Sequence, residues 1–263
     1  MLDKQEKHQR FLEFLTRYDL IDPPLHERGI KQAQLQQNLV NIFDYRLVFV
    51  SPHRRTIMTA ITIFQSYFTV SERHHQSLRF ILLPLAKEVL NNSNDLVMTY
   101  EELNDYTNKI SIENPYITFD FSYFEEYKEP CYSTWLYQIL TNQEKRLNLI
   151  SKFKECPDAK KIGIQQIIEN NGRCIETLDE IYDRSQLLKA LLNKIILQEQ
   201  ERKQLASNEK ILVVSHSRMM TSFFSEGFDM KRNQTINSRH YDNCEIVPYY
   251  NDIIRSETDS IIN

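Results

Sequence analysis

Glycine is scarce in this chain, with four in 263 residues. A phosphate cradle of the GxGxxG or GxxxxGK type needs two or three glycines in one short loop, so that backbone N–H groups can approach the anion. Gly29, Gly163, Gly172 and Gly227 stand far apart, which excludes the common dinucleotide and P-loop readings. Cysteine is just as sparse. Cys131, Cys156, Cys174 and Cys244 form no CxxC pair and no Cys/His cluster with zinc-site spacing, so reduced thiols are expected, with no metal and no cofactor. No apolar run is long enough to span a bilayer, and the opening MLDKQEKHQR is charged from its third residue. A cytoplasmic protein without membrane contact is expected. A net charge of -4 supplies no general field to attract nucleic acid, so any anion must be caught by local groups.

What is present suits a folded enzyme-sized domain. The chain is 41% hydrophobic and 26% charged, the balance of an ordinary globular core and surface. One domain is expected over residues 1–250, followed by a polar tail at 251–263. Helical periodicity covers 3–18 and stops at Asp22-Pro23-Pro24, because proline lacks an N–H and restricts the residue before it. A second helix is expected from His26 through Leu39. Leu47-Val48-Phe49-Val50, residues 78–83 and Ile211-Leu212-Val213-Val214 are short apolar runs ending at polar or proline residues, the pattern of buried parallel strands. A helix over Arg55 to Tyr67 follows the first of them. Residues 91–206 read as a long, mainly helical insertion whose last part, Leu178 to Lys203, returns the chain to the third strand. The fold class expected is α/β, a three-layer α/β/α arrangement with a mostly parallel sheet.

Polar residues collect where the three strands end. Ser51-Pro52-His53-Arg54-Arg55-Thr56 joins a strand to a helix, and a helix N-terminus beside a guanidinium is suited to binding phosphate. His216 ends the third strand, where an imidazole can donate to a phosphoryl oxygen. Glu88 follows the second strand, where it can protonate a leaving alkoxide. Taken singly, each has a plainer reading: surface arginines, a structural histidine and a solvated glutamate.

Together and in order, these segments resemble the histidine phosphatase (phosphoglycerate mutase-like) superfamily. Asp22-Pro23-Pro24-Leu25 with Gly29, Gln32 and Ala33 is similar to that family's D-x-P-L-T-x-x-G-x-x-Q-A stretch. Ser51-Pro52-His53-Arg54-Arg55 with Thr59-Ala60 resembles its S-P-L-x-R-x-x-x-T-A element, Leu85 to Glu88 its L-x-E segment, and Val214-Ser215-His216-Ser217 its V-S/T-H-G/S end. Within the insertion, Phe119-Asp120-Phe121, Trp135, and Glu176 with Arg184 resemble elements of the broad-specificity branch. The resemblance runs from about residue 19 to about 250. It implies phosphomonoester hydrolysis on a small phosphorylated metabolite. Arg55 and Ser217 would bind the substrate or inorganic phosphate, His216 would stabilise the phosphoryl charge, and Glu88 would act as acid and then base, without a metal.

One family element is missing. The family's first, central strand ends in Arg-His-Gly, whose histidine accepts the phosphoryl group, and nothing before Asp22 matches it. His8 lies among charges in an expected helix and is no substitute. Two accounts remain open: a truncated and impaired phosphatase, or a non-catalytic pseudophosphatase that binds a phospho-ligand or a protein. Truncation is the expectation, since losing a central strand would expose the edges of its two neighbours and remove much core surface.

Overall fold

Asp3 starts the chain's first helix, α1 (Lys4–Leu15), in the computed structural model, which describes residues 3–69, 77–129, 132–202 and 209–248. Its carboxylate accepts from the Glu6 N–H while Glu6 returns the bond, closing a capping box. Pro23-Pro24 separates α1 from α2 (Glu27–Gln34), and a short α3 (Gln37–Val40) follows. The single helix expected over 26–39 is therefore broken. At Gln36 the N–H bonds to the Ala33 carbonyl three residues back, a tightened turn that ends α2.

β1 (Tyr45–Val50), α4 (Arg54–Phe64) and β2 (Leu78–Leu82) come next, and one turn over Pro84–Ala86 leads to Glu88. The insertion contains α5 (Tyr100–Glu113), β3 (Ile117–Asp120), α6 (Trp135–Gln138), α7 (Gln143–Glu155) and α8 (Ala159–Glu169). Then come α9 (Leu178–Glu201), β4 (Lys210–Val214), α10 (Ser217–Phe223) and a small hairpin of β5 (Gly227–Asp229) and β6 (Gln234–Ile236). Residues 91–206 are mainly helical, as expected, and β3 is an unexpected addition to that reading. It is only four residues long and lies between stronger helical signals, so its pattern was too short to be read locally.

The sheet runs β3-β2-β1-β4, and every neighbouring pair is parallel. Alternation along β1 divides the interior in two. Val48 and Val50 pack with Phe80, Ile57 and Phe64 on the α4 side. Leu47 and Phe49 pack with Ile81, Leu188 and Leu192 of α9, and Met219 and Phe223 of α10, on the other. Helices thus cover both faces, which is why β1 reads as an unbroken apolar run. Each such side chain contributes about 1.5–3 kcal/mol when fully buried.

β1 and β4 pair directly, so no strand is missing between them. Among the described residues β3 and β4 are the two edge strands, and Ile211, Leu212 and Val213 of β4 are half-buried where β1 is buried. No helix among the described residues is long and apolar enough to cross a membrane. Cys131 and the 251–263 tail lie outside the described residues.

Candidate functional site

Strands β1, β2 and β3 progress in one direction across the sheet, whereas β4 lies on the other side of β1. The order therefore reverses between β1 and β4, and such a switch point opens a crevice at the carboxyl ends of the strands. Ser51, His53 and Arg55 follow β1, Glu88 follows β2 and His216 follows β4. The three families of side chains meet there.

His216 is nearly covered and both of its ring nitrogens have neighbours. Nε2 is 2.8 Å from the Ser51 hydroxyl, and Nδ1 is 3.9 Å from Glu88 Oε2. Burial pushes the His216 imidazole well below the ordinary histidine range, and nearby His53, Arg55, Arg184 and Lys87 push in the same direction. It is neutral near pH 7. Burial among cations thus disfavours the charged form of this imidazole. Glu88 moves oppositely. Burial raises its carboxyl, which suits a group that must hold a proton to deliver it. Its Oε1 accepts from the Val89 N–H at 2.8 Å, leaving Oε2 towards His216.

Arg55 contributes its positive potential to both His216 and Glu88, but its guanidinium is engaged. One amino group donates to the Asn94 carbonyl at 2.7 Å and the other lies 3.3 Å from Asp95 Oδ1. The expected open N-terminus of α4 is also filled. Asp22, held at φ 43°, turns its carboxylate to accept the Arg54 N–H at 3.1 Å. The protein's own carboxylates occupy both anion-binding devices. Ser217 is committed as well: its hydroxyl donates to the Tyr241 carbonyl at 2.8 Å and lies 3.1 Å from His240 Nδ1, so the 239–241 segment covers it. His8 is exposed on α1.

Below Glu88 lies a buried ionic network. Glu176 receives Arg184 at both oxygens (2.7 and 3.1 Å), Lys87 Nζ at 2.7 Å and the Leu90 N–H at 3.2 Å. Arg184 also donates to the carbonyls of Leu85 and Lys87. The loop carrying Glu88 is therefore fastened at Leu85, Lys87 and Leu90. The sequence singled out Glu176 and Arg184 but not Lys87, whose flanking residues gave no sign that a lysine would be wholly covered.

Asp22, Ser51, His53 and Asp95 were also not assigned roles. His53 has no exposed surface. Its Nε2 accepts the Glu88 N–H at 3.3 Å, its Nδ1 faces Asp22 Oδ1 at 3.3 Å, and its ring meets that of His216 edge to face at 4.6 Å. A signal existed in Ser51-Pro52-His53, where the family pattern has leucine at the third position. Among the described residues no group of three or more His, Cys, Asp and Glu side chains could hold a metal ion. No family model, no curated protein and no solved structure matches the chain.

Proposed function

We propose that this chain is a histidine phosphatase-like domain whose Glu88–His216 pair faces a phosphoryl group, with catalysis impaired by the missing Arg-His-Gly segment. The observation that carries the reading is the meeting of Glu88 and His216, 3.9 Å apart, over the end of β1 at the switch point, with Arg55 supplying positive potential. In this reading a small phosphorylated molecule displaces Asp95 from Arg55, and the guanidinium clamps the phosphoryl oxygens. Glu88, whose carboxyl burial raises above the ordinary range, delivers its proton to the leaving oxygen. Neutral His216 offers an N–H rather than a full charge, and this limits stabilisation of the transition state.

A second reading, a phospho-ligand-binding module without turnover, is favoured by the absence of a ready nucleophile in the cluster. Ser51 and His53 are covered, and both ring nitrogens of His216 have internal neighbours. NMR titration of the full chain with inorganic phosphate tests both readings. Shifts at Glu88, Arg55 and His216 that vanish in Arg55→Ala are expected. No shift in the unaltered chain would defeat both, and measurable turnover of a phosphate monoester would decide between them.

A further inference from the structure

We infer that Asp22 and His53 form a positioning pair that holds Glu88 and His216 in mutual register; the inference rests on the reading of those two residues as the reactive pair. His53 touches both of them. Its Nε2 takes the Glu88 backbone N–H at 3.3 Å, which sets where the Glu88 side chain begins. Its ring lies against His216 with centroids 4.6 Å apart and planes at 76°, which sets how the second imidazole can turn. A neutral imidazole has one accepting and one donating nitrogen, so acceptance at Nε2 puts the proton on Nδ1. That nitrogen is buried with no hydrogen-bond partner of good geometry, and the nearest acceptor is Asp22 Oδ1 at 3.3 Å.

Asp22 is itself anchored at both ends, accepting the Arg54 N–H at 3.1 Å and the Met98 N–H at 3.4 Å. The arrangement links the residues that follow three adjacent strands: His53 after β1, Glu88 after β2 and His216 after β4. Because His53 has no exposed surface, it acts through its neighbours and does not meet a substrate. A leucine would fill much the same volume but could not accept from Glu88 or report to Asp22. That difference separates positioning from packing.

The test uses the full chain with labelled histidines and inorganic phosphate as the probe. In the unaltered protein, ring nitrogen shifts should show His53 protonated at Nδ1 alone at neutral pH; a proton at Nε2, or on both nitrogens, overturns the inference without any variant. His53→Leu should change the Glu88 amide signal, weaken phosphate binding about tenfold and move the His216 titration midpoint by about one pH unit. His53→Gln, which restores an acceptor, should recover the Glu88 amide signal and most of the phosphate affinity. The charged or titratable groups facing His216 besides His53 are Glu88, Arg55, Lys87 and Arg184, all unchanged in these variants. An unchanged His216 midpoint in a folded His53→Leu protein, or no recovery with His53→Gln, overturns the positioning role. Failure of the phosphoester reading is seen separately: phosphate would then shift nothing in the unaltered chain, while the tautomer of His53 would still be read.

Discussion

Removing the negative charge at the centre of the buried network, as in Glu176→Gln, should destabilise the protein by about 3–5 kcal/mol, the cost of leaving a buried ion pair half-broken. Burial alone would raise the Glu176 carboxyl, but Arg184 and Lys87 outweigh it and hold it down at about 2, against an ordinary 4.5. At about 1.4 kcal/mol per pH unit, that is a contribution of about 3 kcal/mol. A depressed carboxylate contributes this in full above its unfolded value and loses it as pH falls from about 4.5 towards 2. Lys87 works the other way. Burial lowers it from 10.5 to about 8, so keeping it charged costs about 3 kcal/mol at neutral pH, a cost relieved as pH rises from 8 towards 10.5. The gain at Glu176 and the cost at Lys87 oppose each other. The network ties down Leu85, Lys87 and Leu90. The variant forfeits the gain and keeps the cost, leaving Lys87 and Arg184 covered beside a neutral amide. Urea unfolding at pH 7 reads the difference, and the triple replacement Lys87→Met, Glu176→Leu, Arg184→Met should lie much closer to the unaltered chain. A loss under about 1 kcal/mol for Glu176→Gln would refute the account of a covered, mutually dependent network.

The purified chain should hydrolyse p-nitrophenyl phosphate negligibly, because a clamp and an acid without a nucleophile supply only part of the required stabilisation; robust turnover abolished by His8→Ala would contradict this. Phosphate affinity should be about millimolar, roughly 4 kcal/mol, by calorimetry. It should fall as pH rises through about 7, where burial places the Asp22 carboxyl, because ionised Asp22 then repels the anion from the α4 N-terminus. Asp22→Asn should flatten that dependence, and an unchanged slope would show that another group governs it. Gly172→Ala should cost about 1–2 kcal/mol of stability, read as a lower melting temperature. Gly172 sits at φ 71°, and an added Cβ would lie 2.7 Å from Leu15 Cδ1 where α1 meets the domain, so an unchanged melting curve would show that this contact gives way freely.

Much of the architecture was legible because it is written in local patterns. β1, β2 and β4 are apolar runs with abrupt polar ends, and α9 carries its periodicity for 24 residues with a capping box at Thr177. Glu88, Arg55 and His216 could be placed at strand ends for the same reason, and parallel strands bring such ends together. β3 was not legible: four residues cannot establish a period, and pairing with β2 decides their state.

What surrounds the site depends on groups that the chain order keeps apart. Asp22 reaches Arg54, Asp95 reaches Arg55, Tyr241 covers Ser217 and Glu176 meets Lys87, each across tens of residues. Residue type and spacing state what a side chain can bind, whereas the partner it meets and the water it loses depend on packing. The sequence by itself determined that Arg55, Glu88 and His216 would follow the ends of strands. Only the tertiary structure decided that burial disfavours the charged form of His216, that Arg55 and the α4 N-terminus already meet Asp95 and Asp22, and that His53 lies between Glu88 and His216, because desolvation and pairing energies arise only when distant segments close on one another.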